Sequence, residues 1–223
     1  MSTRELALPV ELPTGAASVP VTVRDADAGA WAMVALAHGA GSGREHPFLV
    51  GLAEALAPLG ISTARFDFPY RAACRRLPGP AAHAVAAWAA VVTWARGEGV
   101  PLWAAGKSYG GRMASMAAAE GAIEPAGLVY LGYPLHPPGR PDRARVAHLT
   151  AVAQPQLFLS GTNDPFVQPV AQLEAAVASC RDAVLTWVDG AGHSFEVKGR
   201  RRAADEVGAG LAPLVAAFLR ERR

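Results

Sequence analysis

The feature that most constrains this chain is a rhythm. Short, almost wholly apolar runs alternate with longer alanine-rich stretches whose apolar residues recur at helical spacing. Ala32–Ala37 is a continuous apolar run ending at His38-Gly39, as expected of a strand buried on both faces. Pro47 suits a first helical turn, and Leu49, Leu52, Ala53, Leu56 and Leu59 then keep helical spacing through Phe48–Leu59 until Gly60. Ile61–Phe68 reads as the next strand. Ala81–Ala95 reads as the next helix, with Val85, Trp88, Val92 and Ala95 on one stripe and Gly97 and Gly99 beyond it. The second half repeats the pattern. Strands are expected at Pro101–Ala105, Leu128–Leu131, Leu157–Leu159 and Ala183–Val188, and helices at Tyr109–Ala119, Val167–Ala178 and Ala203–Leu219. Val19–Val23 alternates weakly and is an early strand. This alternation predicts an α/β fold, a mostly parallel sheet flanked by helices on both faces. Right-handed crossovers would gather the carboxyl ends of the strands along one edge, where ligands bind in open sheets. No repeat or low-complexity linker divides the chain, so residues 19–223 are read as one domain, preceded by an extension over 1–18.

Composition narrows the function classes. A chain of 223 residues that is 51% hydrophobic and 18% charged can bury a sizeable core without staples. A net charge of +2 makes no electrostatic case for a nucleic-acid or membrane partner. The basic runs Lys198-Gly199-Arg200-Arg201-Arg202 and Arg220–Arg223 read as a solvated helix start and a frayed tail. Cys74 and Cys180 form neither a disulfide framework nor a Cys-x-x-Cys or Cys/His cluster, so no metal site, redox site or cofactor is expected. No eighteen-residue apolar span and no basic-then-apolar start is visible, which points to the cytoplasm.

The polar candidates all fall just beyond a strand's carboxyl end. Gly106-Lys107-Ser108-Tyr109-Gly110 lies between an expected strand and an expected helix. A serine hydroxyl needs a base to take its proton and must stand clear of the backbone. A sharp strand-to-helix turn exposes it, and glycines two residues before and after remove the side chains that would collide there. The Tyr109 N–H then points from a helix start, well placed for a developing oxyanion. With 23 glycines, a Gly-x-Ser-x-Gly match alone is weak, and a glycine-rich helix entry with an incidental serine is the bland alternative. Ser194 is the nearest rival, but Glu196 stands where it would need glycine.

His193, in the late loop Gly192-His193-Ser194-Phe195, is the base such a serine would need, set against an ordinary surface-loop histidine. Asp164 lies between the two in the order Ser…Asp…His, and Asp189, four residues before His193, is its competitor for orienting the imidazole. His38-Gly39-Ala40-Gly41 can supply a second oxyanion N–H, from Ala40 first and Gly41 second. Neither this loop nor Gly106-Lys107-Ser108 completes a phosphate-cradling P-loop. His46, Tyr133, His136 and His38, whose ring shapes its loop, are candidates for the pocket wall.

These motifs, together with Gly161-Thr162-Asn163-Asp164-Pro165-Phe166 and Gly106 through Arg112, resemble the α/β-hydrolase superfamily. More narrowly, Phe66-Asp67-Phe68-Pro69-Tyr70 and Gly132-Tyr133-Pro134-Leu135-His136-Pro137-Pro138-Gly139 look like a small cap-less group near the dienelactone hydrolases. That group includes a testis-expressed protein and the hydrolase-like part of a chromatin NSL-complex subunit. The resemblance spans roughly residues 19–220. It implies Ser108 as nucleophile, Asp164 as acid and His193 as base. Dienelactone hydrolases proper use cysteine, so their substrate does not carry over. Residues 134–155 are too few for a cap domain and form a short pocket wall, where the arginines at 140, 143 and 145, with Arg71, Arg75 and Arg76, either bind an acidic substrate or are solvated loop charge. The expected activity is cofactor-free hydrolysis of a small carboxylic ester or thioester through an acyl-enzyme. The alternatives are a catalytically silent interaction module of the same fold and a peptidase, for which no specificity pocket is visible.

Overall fold

The computed structural model describes residues 3–223. Eight strands form one sheet: β1 (Thr3–Leu12), β2 (Gly15–Arg24), β3 (Ala32–Ala37), β4 (Ile61–Phe66), β5 (Leu102–Lys107), β6 (Leu128–Leu131), β7 (Gln156–Gly161) and β8 (Ala183–Val188). The spatial order is β1-β2-β4-β3-β5-β6-β7-β8. The β1–β2 and β2–β4 pairs are antiparallel and every other pair is parallel. The helices are α1 (Pro47–Leu56), α2 (Pro69–Ala72), α3 (Ala81–Ala95), α4 (Tyr109–Ala119), α5 (Val170–Ala178), α6 (Ala204–Ala209) and α7 (Ala212–Glu221).

All six residues of β3 are buried, which explains the unbroken apolar run. Successive side chains on a strand point to opposite faces. Ala32, Val34 and Leu36 join one core with Phe48, Leu52, Trp103, Val207, Val215 and Phe218, beneath α1, α6 and α7. Met33, Ala35 and Ala37 join the other with Phe66, Trp88, Met113, Tyr130 and Phe158, beneath α3 and α4. Helix α1 crosses α6 at two glycines: a Cβ on Gly51 would lie 2.0 Å from Asp205 O, and one on Gly208 1.9 Å from Phe48 O. No helix among the described residues is long and apolar enough to cross a membrane.

Several boundaries differ from the sequence expectation. Residues 3–24, expected as an extension plus a short strand, form a hairpin in register from Thr3↔Arg24 to Leu12↔Gly15, so the sheet takes in most of 1–18. The β1 burial pattern is mostly exposed, because it is an edge strand, and this hid its signal. Strand β4 stops at Phe66 because Pro69 opens α2 two residues beyond Asp67. The closing helix breaks at Gly210 and restarts with Pro213 in its first turn. The run 198–202 is a loop rather than a helix start: a Val197–Arg200 bridge closes a turn in which Gly199 has φ +83°. Arg220 and Arg223 are not frayed but lie over the Trp31 ring, each 5.6 Å from its centroid.

Candidate active site

The parallel strands deliver the candidate residues to one edge. Ser108 leaves β5 with φ +49° and ψ −113°, a region that side chains other than glycine rarely adopt, and α4 begins at the next residue. The Ser108 N–H donates to Leu131 O at 3.0 Å, which ties the turn to β6. A Cβ on Gly110 would stand 2.7 Å from His38 O and 2.8 Å from Ala37 O, so only glycine lets α4 start this close to β3.

His193 sits in the loop after β8, with its Nε2 2.8 Å from Ser108 Oγ. Its Nδ1 lies 2.7 Å from Asp164 Oδ2. Asp164 is fully buried after β7, and its other oxygen accepts the Phe166 N–H at 2.8 Å. A carboxylate so held fixes the imidazole's orientation and leaves Nε2 free to accept the serine proton. The competitor Asp189 instead accepts from Thr162 Oγ1 at 3.3 Å. Phe166 packs on the imidazole, ring centroids 4.2 Å apart.

The oxyanion candidates separate by their existing bonds. The Gly41 N–H already donates to Tyr70 Oη at 3.2 Å. Among the described residues, the N–H groups of Ala40 and Tyr109 have no protein acceptor, and both residues line the cavity beside Ser108. The free pair is therefore Tyr109 with Ala40.

That cavity has a volume of about 520 Å³. Phe48, Leu49 and Val207 form its apolar side, and Arg112, Pro134 and Arg145 its other wall. His46 lines it as expected, kept below the ordinary histidine value by burial and by the charge of Lys107. The other expected wall residues do not face it. His38 is fully buried, its Nε2 accepting the Phe68 N–H at 3.2 Å and its Nδ1 2.7 Å from Gly39 O, so it shapes the loop from behind. Tyr133 turns inward and donates its hydroxyl to Arg145 O at 2.9 Å. His136 is fully buried with its Nδ1 2.8 Å from Pro137 O. Pro134 and Arg145 form that wall instead, and Gly132, with φ +71°, turns the chain just before Tyr133.

The sequence reading passed over Lys107. Its Nζ donates to the His193 carbonyl at 2.7 Å and lies 5.9 and 5.8 Å from the Phe48 and Phe195 ring centroids. It thereby clamps the His193 loop to the end of β5. Its place directly before the serine, at the last position of a strand, was the available signal. Burial lowers its ammonium from 10.5 to about 8, against a smaller upward pull from Asp164. Below about 8 the folded chain carries the full cost of this enclosed charge; towards 10.5 it sheds the proton before the unfolded chain does, and stability rises. A Lys107→Met variant lacks this titration. Melting temperatures of the two proteins across pH 7–10 should diverge in the wild type's favour above about pH 8, and parallel curves would contradict the enclosed charge.

The serine turn, the late histidine loop and the sheet order together make a family comparison decisive. A family model for an alpha/beta hydrolase domain matches residues 30–218. The chain belongs to this α/β-hydrolase family. Solved structures share its fold. A dienelactone hydrolase from Anabaena variabilis aligns with a TM-score of 0.73 at 22% identity, covering 99% of each chain. An alpha-beta serine hydrolase homologue from Coxiella burnetii aligns at 0.75 and 21% identity over 98% of each. A serine hydrolase without a lid from Xanthomonas campestris aligns at 0.71 and 23% identity, over 98% of this chain and 96% of that one. Among the described residues of this α/β-hydrolase, the segment between β6 and β7 carries only the short turns Pro141–Arg143 and Leu149–Ala151, with no cap domain.

Proposed function

We propose that this α/β-hydrolase is a serine hydrolase that cleaves a small carboxylic ester or thioester through an acyl-enzyme. The observation that carries the reading is the continuous hydrogen-bonded line from Ser108 through His193 to buried Asp164, opening into a cavity. In the acylation step His193 Nε2 takes the Ser108 proton as Oγ attacks the carbonyl carbon. The tetrahedral oxyanion is met by the N–H groups of Tyr109 and Ala40, and the imidazolium by Asp164. His193 then gives its proton to the departing oxygen or sulfur. Water, activated by the same imidazole, releases the acid and restores Ser108. No step calls on a cofactor. The narrower kinship with the testis-expressed and NSL-complex type hydrolases is part of this proposal, and rests on the motifs at 66–70 and 132–139. So is a cytoplasmic location, with which the free thiols of Cys74 and Cys180 agree.

Rapid mixing with 4-nitrophenyl acetate tests the acyl-enzyme. The expected result is a burst of nitrophenolate proportional to enzyme concentration, followed by slower turnover. Well-folded protein that gives neither burst nor turnover would point instead to the catalytically silent interaction module.

A further inference from the structure

The chain's net charge is only +2, yet several cations without an acidic partner lie around the candidate site. Arg112 lies one helical turn after Ser108 on α4 and lines the cavity, with its Nε buried and without a hydrogen-bond partner. Arg145 lines the same wall, its backbone pinned by Leu135 O and by the Tyr133 hydroxyl while its guanidinium stays free. Outside the cavity, the loop 196–202 bounds a second hollow of about 610 Å³, which meets the first at Glu196. Lys198, Arg200, Arg201 and Arg202 line it.

Among the described residues none of these cations has a carboxylate partner, whereas Arg4, Arg24, Arg44, Arg65 and Arg140 all pair with acids. Glu196, which borders both hollows, is exposed and pairs with none of them. Asp205 and Glu206 follow in α6, and Glu206 turns back to accept the Ala203 N–H at 3.2 Å. The repulsion is felt inside the wall, where burial first and the charge of Arg112 second lower Arg145. Two half-buried guanidiniums in one wall without an acid cost stability unless an anion joins them, while the exposed loop cations are free to extend such a site. One carboxylate would satisfy the inner pair but not the loop. Guanidinium forks in this number match phosphate oxygens.

We infer that the substrate is an acyl ester or thioester whose leaving group carries phosphate, with its reacting carbonyl over Ser108 and its phosphates on Arg112, Arg145 and the 198–202 loop. This rests on the hydrolase reading above. The acyl group passes to Ser108 Oγ as the bond from the carbonyl carbon to the leaving sulfur or oxygen breaks. The leaving atom takes the proton that His193 removed from Ser108. Water then releases the carboxylic acid, so the products are that acid and a phosphate-bearing thiol or alcohol.

Two thioesters with the same acyl group test this: butyryl coenzyme A, which carries phosphates, and butyryl N-acetylcysteamine, which keeps the thiol linkage without them. At low ionic strength kcat/KM should favour the first by roughly tenfold or more, since charge-assisted bonds supply the difference. The preference should shrink as salt is added. Arg112→Gln, and separately Lys198→Gln with Arg200→Gln, Arg201→Gln and Arg202→Gln, should each move the ratio towards one; thermal melts of the same preparations report folding. Equal kcat/KM for the two thioesters in wild-type protein, or a ratio unmoved by either set of variants, overturns the inference. So does failure to cleave butyryl coenzyme A by protein that turns over 4-nitrophenyl acetate. Protein inert towards all three compounds overturns the hydrolase reading, and this inference with it.

Discussion

Ser108→Ala should lower kcat for an activated ester by roughly 10⁴-fold or more while leaving the melting temperature within a few degrees of wild type. The asymmetry follows from the geometry. Ser108 Oγ has one side-chain partner, His193 Nε2 at 2.8 Å, and the turn itself is held by backbone: the Ser108 N–H on Leu131 O and the Arg112 N–H on Ser108 O. Removing the hydroxyl therefore deletes the proposed attacking atom and little of the fold. The free N–H groups of Ala40 and Tyr109 remain, so a residual rate above that of water is expected. Stopped assays with matched active-site concentrations, beside thermal melts, check both halves. A loss below tenfold would mean that another group attacks the ester.

Gly106→Ala should do the reverse, with stability and activity falling together. A Cβ at Gly106 would lie 2.2 Å from Gly111 N, 2.3 Å from Gly110 C and 2.7 Å from Gly111 Cα, all backbone of the first turn of α4. Backbone cannot rotate aside as a side chain can. Relief requires α4 to shift, and α4 carries the Tyr109 N–H and Arg112 with it. Overpacking of this kind typically costs about 1–3 kcal/mol and can exceed it, and an ångström of misplacement can cost about 10²-fold in rate. A fall in melting temperature of several degrees and a loss of activity of that order are expected. Gly97→Ala is the control: nothing lies within 4 Å of its Cβ position, so it should melt like wild type and hydrolyse the ester at the same rate. A Gly106→Ala protein indistinguishable from Gly97→Ala would contradict the crowding argument.

The central strands were readable because burial on both faces leaves an unbroken apolar run, as in β3, and the polar candidates stand in the turns that follow them. Ser108, Asp164 and His193 stood out for that reason. The edge strand β1 was not readable, because its exposed positions include Ala7 and Pro9, which blur the alternation of Leu6, Leu8, Val10 and Leu12. The pocket wall was half legible. His46 faces the cavity, whereas His38, Tyr133 and His136 are polar residues satisfied in the interior, and nothing in residue type distinguishes the two cases. Lys107 and Arg112 flank the serine in sequence, yet what each faces depends on elements far along the chain: the His193 carbonyl for one, the Arg145 segment for the other. The choice between Ala40 and Gly41 turned on Tyr70, twenty-nine residues beyond Gly41. Contacts between distant segments are what a local pattern leaves out.

Ser108 is the proposed nucleophile, activated by His193 in a line that ends at Asp164. The most direct test of that role is to label wild-type protein with a fluorophosphonate probe and locate the adduct by peptide mass spectrometry. One adduct is expected, on the peptide bearing Gly106-Lys107-Ser108-Tyr109-Gly110, at Ser108, absent from Ser108→Ala and strongly reduced in His193→Ala. An adduct on Ser194 or elsewhere, or labelling of Ser108→Ala equal to wild type, would contradict it.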